Sequence, residues 1–319
     1  MTGFESFVGV NPWTALFTFC NMLITFAVLK KFLFKPVKKM IDDRQQEIDT
    51  MYADADAAKQ KAADLEKEYA DHLQSIKDER DAMLREATAR AQKREEEIVG
   101  EAISGFDRAG LFLTSKVWKT HLHYDDVLRA AEGSLRRMKT DYLDLYLIHQ
   151  VDDSVPLRET MRALNRLVDE KLIRFIGVSN FAEERFRHAQ GWADSKLVAN
   201  QIHYNLKVRE AERSGMLKFC QENDVMLIAW RPLQKGFLLN GTPDCLREVS
   251  ERYGLTPSQT ALSWLTSQKN VVTISMSRSA EHLEENRKAA EFVLPVDAVE
   301  FLRRDFPDQQ DRSESVPLS

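Results

Sequence analysis

The chain has 319 residues, with 45 Lys and Arg against 50 Asp and Glu, and the net charge of −5 argues against a polyanion such as nucleic acid as partner. Its three cysteines, Cys20, Cys220 and Cys245, form no C-x-x-C, which excludes a disulfide framework and a cysteine-rich zinc site. The averages hide two abrupt changes of character along the chain, so it is read in successive pieces.

Residues 12–29, PWTALFTFCNMLITFAVL, carry no charge, and Asn21 is their one strongly polar side chain. That run has the length of a bilayer-crossing helix. Glu5 precedes it with no Lys or Arg, and no small-x-small cleavage pattern follows, so a permanent single-pass anchor is expected rather than a cleaved leader. Lys30, Lys31, Lys35, Lys38 and Lys39 all follow the run, which places the C-terminal part in the cytoplasm, under the cell inner (plasma) membrane. The lipid bilayer is therefore the first expected partner.

In residues 30–97, 32 of 68 side chains are Asp, Glu, Lys or Arg. No Gly lies between Gly9 and Gly100 and no Pro between Pro36 and Pro156, so nothing there breaks a helix. After Ala53 the large apolar residues are Leu65, Tyr69, Leu73, Ile76, Met83 and Leu84, one narrow stripe that cannot build a globular core. The pattern predicts a helical stalk of about 100 Å that pairs with another helix along the stripe. A solvated charged linker held by i,i+4 pairs is the alternative. The acidic run Glu95 to Glu97 reads as a solvated helix face.

From about Ile98 the character changes again. Apolar or β-branched runs at 111–117, 142–149, 173–180, 197–205, 224–230 and 271–276 alternate with helical stretches near 123–139, 157–171, 182–191, 208–223, 257–268 and 279–290. Six successive βα units predict a parallel sheet with right-handed crossovers, doubly wound or a barrel. The polar tail 305–319 is expected to be disordered. The domains expected are thus 1–29, 30–97, 98–304 and the tail. His121 and His123 form an H-x-H without further ligands at metal spacing, so no metal site is expected.

NPWTALFTFCNMLITFAVLKKFLFKPVKKMIDDRQQEI resembles the N-terminus of subunit b of bacterial rotary ATP synthases, in its Asn-Pro-Trp start, single span, Phe34-Lys35-Pro36-Val37 and Arg44. The resemblance implies a peripheral-stalk role in proton transport, with pairing as a homodimer or with other ATP synthase subunits. It covers residues 1 to about 97, and the distal part by which that family grips the catalytic head is absent.

Residues 98–304 resemble the aldo/keto reductases through IVGEAI, LFLTSKVW, MKTDYLDLYLIH, IGVSN, QIHYN, RPL and SMSRSAEHLEEN, in family order. The resemblance implies an α/β, TIM-type (β/α) barrel, here incomplete with about six strands, following the transmembrane helix and stalk. It also implies an oxidoreductase using NADP(H), leaning over NAD(H), on a small carbonyl substrate. Lys116 and His149 match the family's catalytic Lys and His. Ser179, Asn180 and Gln201 would bind the carboxamide and Tyr204 would stack on the nicotinamide. Leu233 would lie at the pyrophosphate, Ser277 and Arg278 at the 2′-phosphate, and Glu285 and Asn286 at the adenine. Arg231, Met276 and His282 depart from the family's usual residues.

Carbonyl reduction also needs a proton donor. The family's Tyr and Asp come from its first two βα units, and the place of the Tyr reads ARAQKREEE, where Gln92, Lys93 and Arg94 offer no phenol. Tyr146, three residues before His149 on one strand, points to the opposite face. Weak or absent reductase activity is the expectation. Three readings stay open: an anchored NADP(H)-binding oxidoreductase, a stator subunit with an incidental C-terminal extension, and a join of two genes without function as a unit.

Overall fold

Strands buried on both faces read as nearly continuous apolar runs, and LDLYLI is buried at all six positions, its one charge, Asp144, being held by the Leu113 N–H, Arg108 and Arg174. The computed structural model describes residues 12–236, 241–277 and 279–319, without the side chains of Pro12, Asp81, Leu84, Arg85 and Ala89. By contact the chain divides into residues 1–85 and 86–319.

The first unit is helical throughout its described residues: α1 (Pro12–Leu29), a π turn (Lys30–Phe34) and the greater part of α2 (Lys35–Ala102). The wide turn comes just before Pro36, whose missing N–H and bulky ring disfavour a regular α-turn at that point. Phe17, Phe26 and Phe34 are all exposed, as are Leu65, Tyr69, Leu73 and Ile76 further along. Among the described residues, one helix, beginning at Trp13, is long and apolar enough to cross a membrane. Beyond the apolar run, Gln45, Gln60 and Gln74 donate to Asp49, Asp64 and Asp78 at 2.9–3.0 Å, i,i+4 contacts that support a solvated helix.

In the second unit all six expected strands form: β1 (Thr114–Val117), β2 (Leu143–Ile148), β3 (Ile173–Ser179), β4 (Leu197–His203), β5 (Met226–Trp230) and β6 (Val271–Thr273). They pair in parallel in chain order, β1 to β6. The crossovers are α3 (Tyr124–Met138), α4 (Leu157–Asp169), α5 (Glu183–Trp192), the pair α6 (Glu210–Arg213) and α7 (Met216–Glu222), and then α8 (Asp244–Tyr253) and α9 (Pro257–Thr266). α10 (Ala280–Glu291) and α11 (Val296–Asp305) complete the helices. The main core lies between the sheet and these helices. A smaller cluster, Leu145, Leu147, Ala199 and Ile228, fills the inner face. This is an incomplete α/β barrel: β1 and β6 each have one unpaired edge among the described residues. Phe112, Phe175, Met226 and Val272 are exposed around a cavity of about 550 Å³ that reaches Leu145, Ala199 and Ile228.

Four features differ from the sequence-based expectations. The stretch 208–223 breaks at Gly215, whose φ of +82° ends one short helix and starts the next. Helices α8 and α11 are additional to the expected ones, and both begin after a proline, Pro243 and Pro295. The tail is ordered. Gln310 bridges to Val208, Ser313 and Leu318 donate from their backbone to the Glu210 carboxylate at 2.9 and 3.1 Å, and Ser313 bonds His203 Nδ1 at 2.7 Å. A composition-based expectation of disorder overlooks such buried acceptors, which satisfy a polar backbone one group at a time.

The fourth difference concerns where the barrel begins, which is earlier than residue 98. On α2, Glu95 is exposed, but Glu96 is buried and accepts from Ser115 Oγ (2.6 Å), Ser134 Oγ (2.8 Å) and Arg137 Nε (2.6 Å). One turn later Gly100 lies so close to α3 that an added Cβ would stand 2.4 Å from the Arg137 carbonyl oxygen. The acidic run is therefore not a solvated face at its central residue. We predict that Glu96→Ala lowers the stability of this unit by about 3 kcal/mol, because it leaves Arg137 partly buried without its partner. Glu97→Ala should change it by less than about 0.5 kcal/mol. Urea midpoints followed by tryptophan fluorescence measure both.

Candidate active site

Alternation along the strands decides which side chains enter the barrel. On β1, Ser115 and Val117 face the helices, so Lys116 points inward. Lys116 pairs with Leu147 of β2, and His149 follows two residues later, its N–H donating to the Val117 carbonyl at 3.0 Å. The Lys and His expected at the site thus share one face at the C-terminal strand ends, where barrel chemistry sits.

Neither group has its usual surroundings. Lys116 Nζ makes no hydrogen bond or ion pair among the described residues. Burial pulls its pKa down, with Glu95 and Glu96 opposing that shift. The His149 ring stands edge-on to Trp118 with centroids 4.6 Å apart, and its Nδ1 is buried without a hydrogen-bond partner. Burial first, and the Lys116 charge second, bring its pKa down to about 4, so the imidazole is neutral at pH 7.

In the stretch where no phenol is offered, Gln92 Nε2 donates to the Lys116 carbonyl at 2.7 Å. Arg94 is exposed and pairs with Glu97. Tyr146 is fully buried in the core between sheet and helices, its hydroxyl unpartnered, as alternation requires. Of the other tyrosines of this unit, Tyr124 lies under Arg162, Tyr142 under Arg108 and Tyr253 against Phe292. None of these contacts brings a phenol to Lys116.

A second cluster forms at the ends of β3, β4 and β5. Ser179 Oγ donates to the Gln201 carbonyl at 2.9 Å and Asn180 Nδ2 donates to Ser179 Oγ at 2.9 Å. Asn180, at φ +58°, turns its amide toward β5, and Trp230 Nε1 donates to its Oδ1 at 3.1 Å. The Gln201 amide makes no hydrogen bond among the described residues and remains available to a ligand. The three residues expected at a carboxamide are therefore adjacent.

Tyr204 is not among them. Its ring is fully buried beside Trp264, its hydroxyl bonds Glu212 and Gln268, and burial raises its pKa. Being one residue past His203 puts it on the helix side of the sheet. The flat aromatic surface at the cluster belongs instead to Trp230, which stacks on His203 at 4.3 Å and lines a cavity of about 810 Å³ with Leu233, Lys235, Ile274 and Met276. Sequence reasoning missed Trp230, because its inward position follows from its pairing with His203 across β4 and β5, which no local pattern carries.

The outer residues are less uniform. Leu233 lines that cavity. Ser277 donates to the Ser279 carbonyl, and Ser279 caps α10. Glu285 accepts from Ser258 and Thr256, whose hydroxyls hold its carboxyl below the usual range, and so it is already engaged at the start of α9. Asn286 is half-buried on α10. Arg278 lies outside the described residues. The tail borders the cluster: Arg231 donates to Ser315 Oγ at 2.6 Å, and the Ser319 N–H donates to the Asn180 carbonyl.

Known proteins match both parts of the chain. The aldo/keto reductase family model matches residues 88–304, and that of ATP synthase B/B′ CF(0) matches residues 14–109. A glyoxal reductase of Bacillus subtilis is 35% identical over 222 residues, 68% of this chain and 78% of that protein. A methylglyoxal reductase of Escherichia coli is 32% identical over 219 residues, 66% and 75% of the two chains. Among solved structures, an aldo/keto reductase from Klebsiella pneumoniae in complex with NADP and acetate superposes with a TM-score of 0.62 and 33% identity, covering 70% of this chain and 79% of that one. The chain belongs to the aldo/keto reductase family, and ahead of that domain it carries an ATP synthase b-like segment.

Proposed function

We propose that residues 86–319 bind a nicotinamide dinucleotide, NADP(H) in preference to NAD(H), across the C-terminal ends of β3 to β6, and that the chain reduces carbonyl compounds poorly or not at all. The observation that carries this reading is the Ser179–Asn180–Gln201–Trp230 cluster beside an open cavity, a donor set suited to a carboxamide on a flat ring. Ser179, Asn180 and Gln201 would hold the carboxamide, Trp230 the ring, and Leu233 with Ser277, Arg278 and Asn286 the remainder. When bound, such a cofactor supplies hydride to a carbonyl carbon. His149 would orient the carbonyl oxygen as a neutral donor, and Lys116 would lie beside it. The role of a phenol with lowered pKa has no occupant, since Gln92 is committed to the Lys116 backbone. The solved relative in complex with NADP and the glyoxal and methylglyoxal reductases support the choice of cofactor and of a small carbonyl substrate.

We further infer that α1 anchors the chain in the inner membrane as a single pass, with residues beyond 30 cytoplasmic. Its uncharged surface and the lysines that follow it support this. The domain limits then become 1–29 for tail and anchor, about 30–85 for the stalk and 86–319 for the reductase-like part, its tail included. A second reading rests on the match at residues 14–109 and on the exposed stripe Leu65, Tyr69, Leu73 and Ile76: the stalk pairs with a second copy or with an ATP synthase subunit.

Three outcomes follow. NADPH added to the full chain in detergent shows saturable fluorescence quenching, and Asn180→Ala or Gln201→Ala weakens binding about tenfold or more; the absence of saturable quenching contradicts the cofactor reading. With methylglyoxal, steady-state turnover falls about 100- to 10,000-fold below that of the Bacillus glyoxal reductase assayed beside it, the usual loss on removing a general acid. For the stalk, oxidised Leu73→Cys chains cross-link into dimers in membranes whereas Asp71→Cys chains do not; equal cross-linking at both positions argues for an unpaired linker.

A further inference from the structure

Lys116 Nζ makes no ion pair among the described residues, and the side chain shares the inner face with His149. Two carboxylates act on it from α2. Glu96 is spent on Ser115, Ser134 and Arg137, and Glu95 is exposed to solvent, so neither closes a salt bridge on the amine. Lys116 is itself half-buried, and so partly desolvated. Gln92 bonds its main-chain carbonyl and leaves the amine without a partner.

We propose that Lys116 is a nucleophilic lysine that captures small aldehydes as an imine. The Nζ lone pair attacks the carbonyl carbon while the C=O π pair moves to oxygen. A proton passes from nitrogen to that oxygen to give a carbinolamine. The hydroxyl then leaves as water, with the second nitrogen proton lost, and the C=N bond forms. No oxidant or reductant is consumed, and the products are the imine and one water. His149, neutral at pH 7, is the neighbouring group able to take the nitrogen proton and return one to the departing hydroxyl. Burial shifts the amine toward its free-base form, which supports the step. The inference rests on the reading of this face as a carbonyl site and not on cofactor binding.

The test is reductive trapping on the full chain in detergent, with butanal and sodium cyanoborohydride between pH 6 and pH 9, quantified lysine by lysine by peptide mass spectrometry. At pH 7 Lys116 should be alkylated about tenfold faster than Lys59, Lys61 and Lys77 of the stalk, with its pH profile displaced toward lower pH. His149→Gln should slow trapping at Lys116 several-fold and leave the stalk lysines unchanged. A Lys116 rate equal to or below that of the stalk lysines overturns the proposal. NADPH quenching measured on the same sample separates the two accounts: saturable binding with an unreactive Lys116 sinks the imine alone, whereas neither signal sinks both.

Discussion

The arrangement of the second unit depends on one buried carboxylate. Glu96 of α2 accepts three hydrogen bonds, from β1 and from two positions of α3, and so fixes the edge strand of the sheet. Removing a charge from water is costly, and the arrangement holds only because every oxygen finds donors. Four residues earlier on the same helix face, Gln92 bonds the main chain of Lys116. The position of the inward amine is therefore set from a helix whose sequence reads as solvated stalk.

That constraint explains how six strands can hold a site built for a closed barrel. The sheet keeps both open edges, and β1, which has only one neighbour, is held by the helix as well as by the ladder. The opposite edge, β6, is three residues long. Opening the barrel has an apolar consequence, since Phe175, Met226 and Val272 are left part-exposed around a cavity. The cofactor-side cluster sits on β3, β4 and β5, away from both edges, whereas Lys116 lies on an edge strand. The part proposed to bind is thus better supported than the part proposed to react.

Much of the fold was legible in the sequence. All six strands follow from apolar runs bounded by polar turns, and the first helix follows from eighteen uncharged residues. Lys116, His149, Ser179, Asn180 and Gln201 were locatable because each lies in the C-terminal half of a strand or just after it. Other features depend on tertiary contacts that no local pattern encodes. Glu96 sits in a run of three glutamates and differs from its neighbours only by facing α3 and β1. Tyr204 and Trp230 look equally suitable as ring-stacking residues, and register decides between them: Trp230 pairs with His203, while Tyr204 lies one residue out of phase and is sealed beneath the sheet. The tail's order comes from Glu210 and His203, which are about a hundred residues away in sequence.

The central claim is that binding and chemistry have separated in this chain, the carboxamide cluster being retained and the acid being lost. A stopped-flow single turnover tests it most directly: full chain preloaded with NADPH is mixed with excess methylglyoxal, and the bound cofactor is followed at its nicotinamide absorbance. The account predicts a bound, unoxidised cofactor that persists over many times the turnover period of the Bacillus glyoxal reductase. Oxidation of the bound cofactor at a rate comparable to that enzyme, with a primary isotope effect from deuterated NADPH, would contradict it.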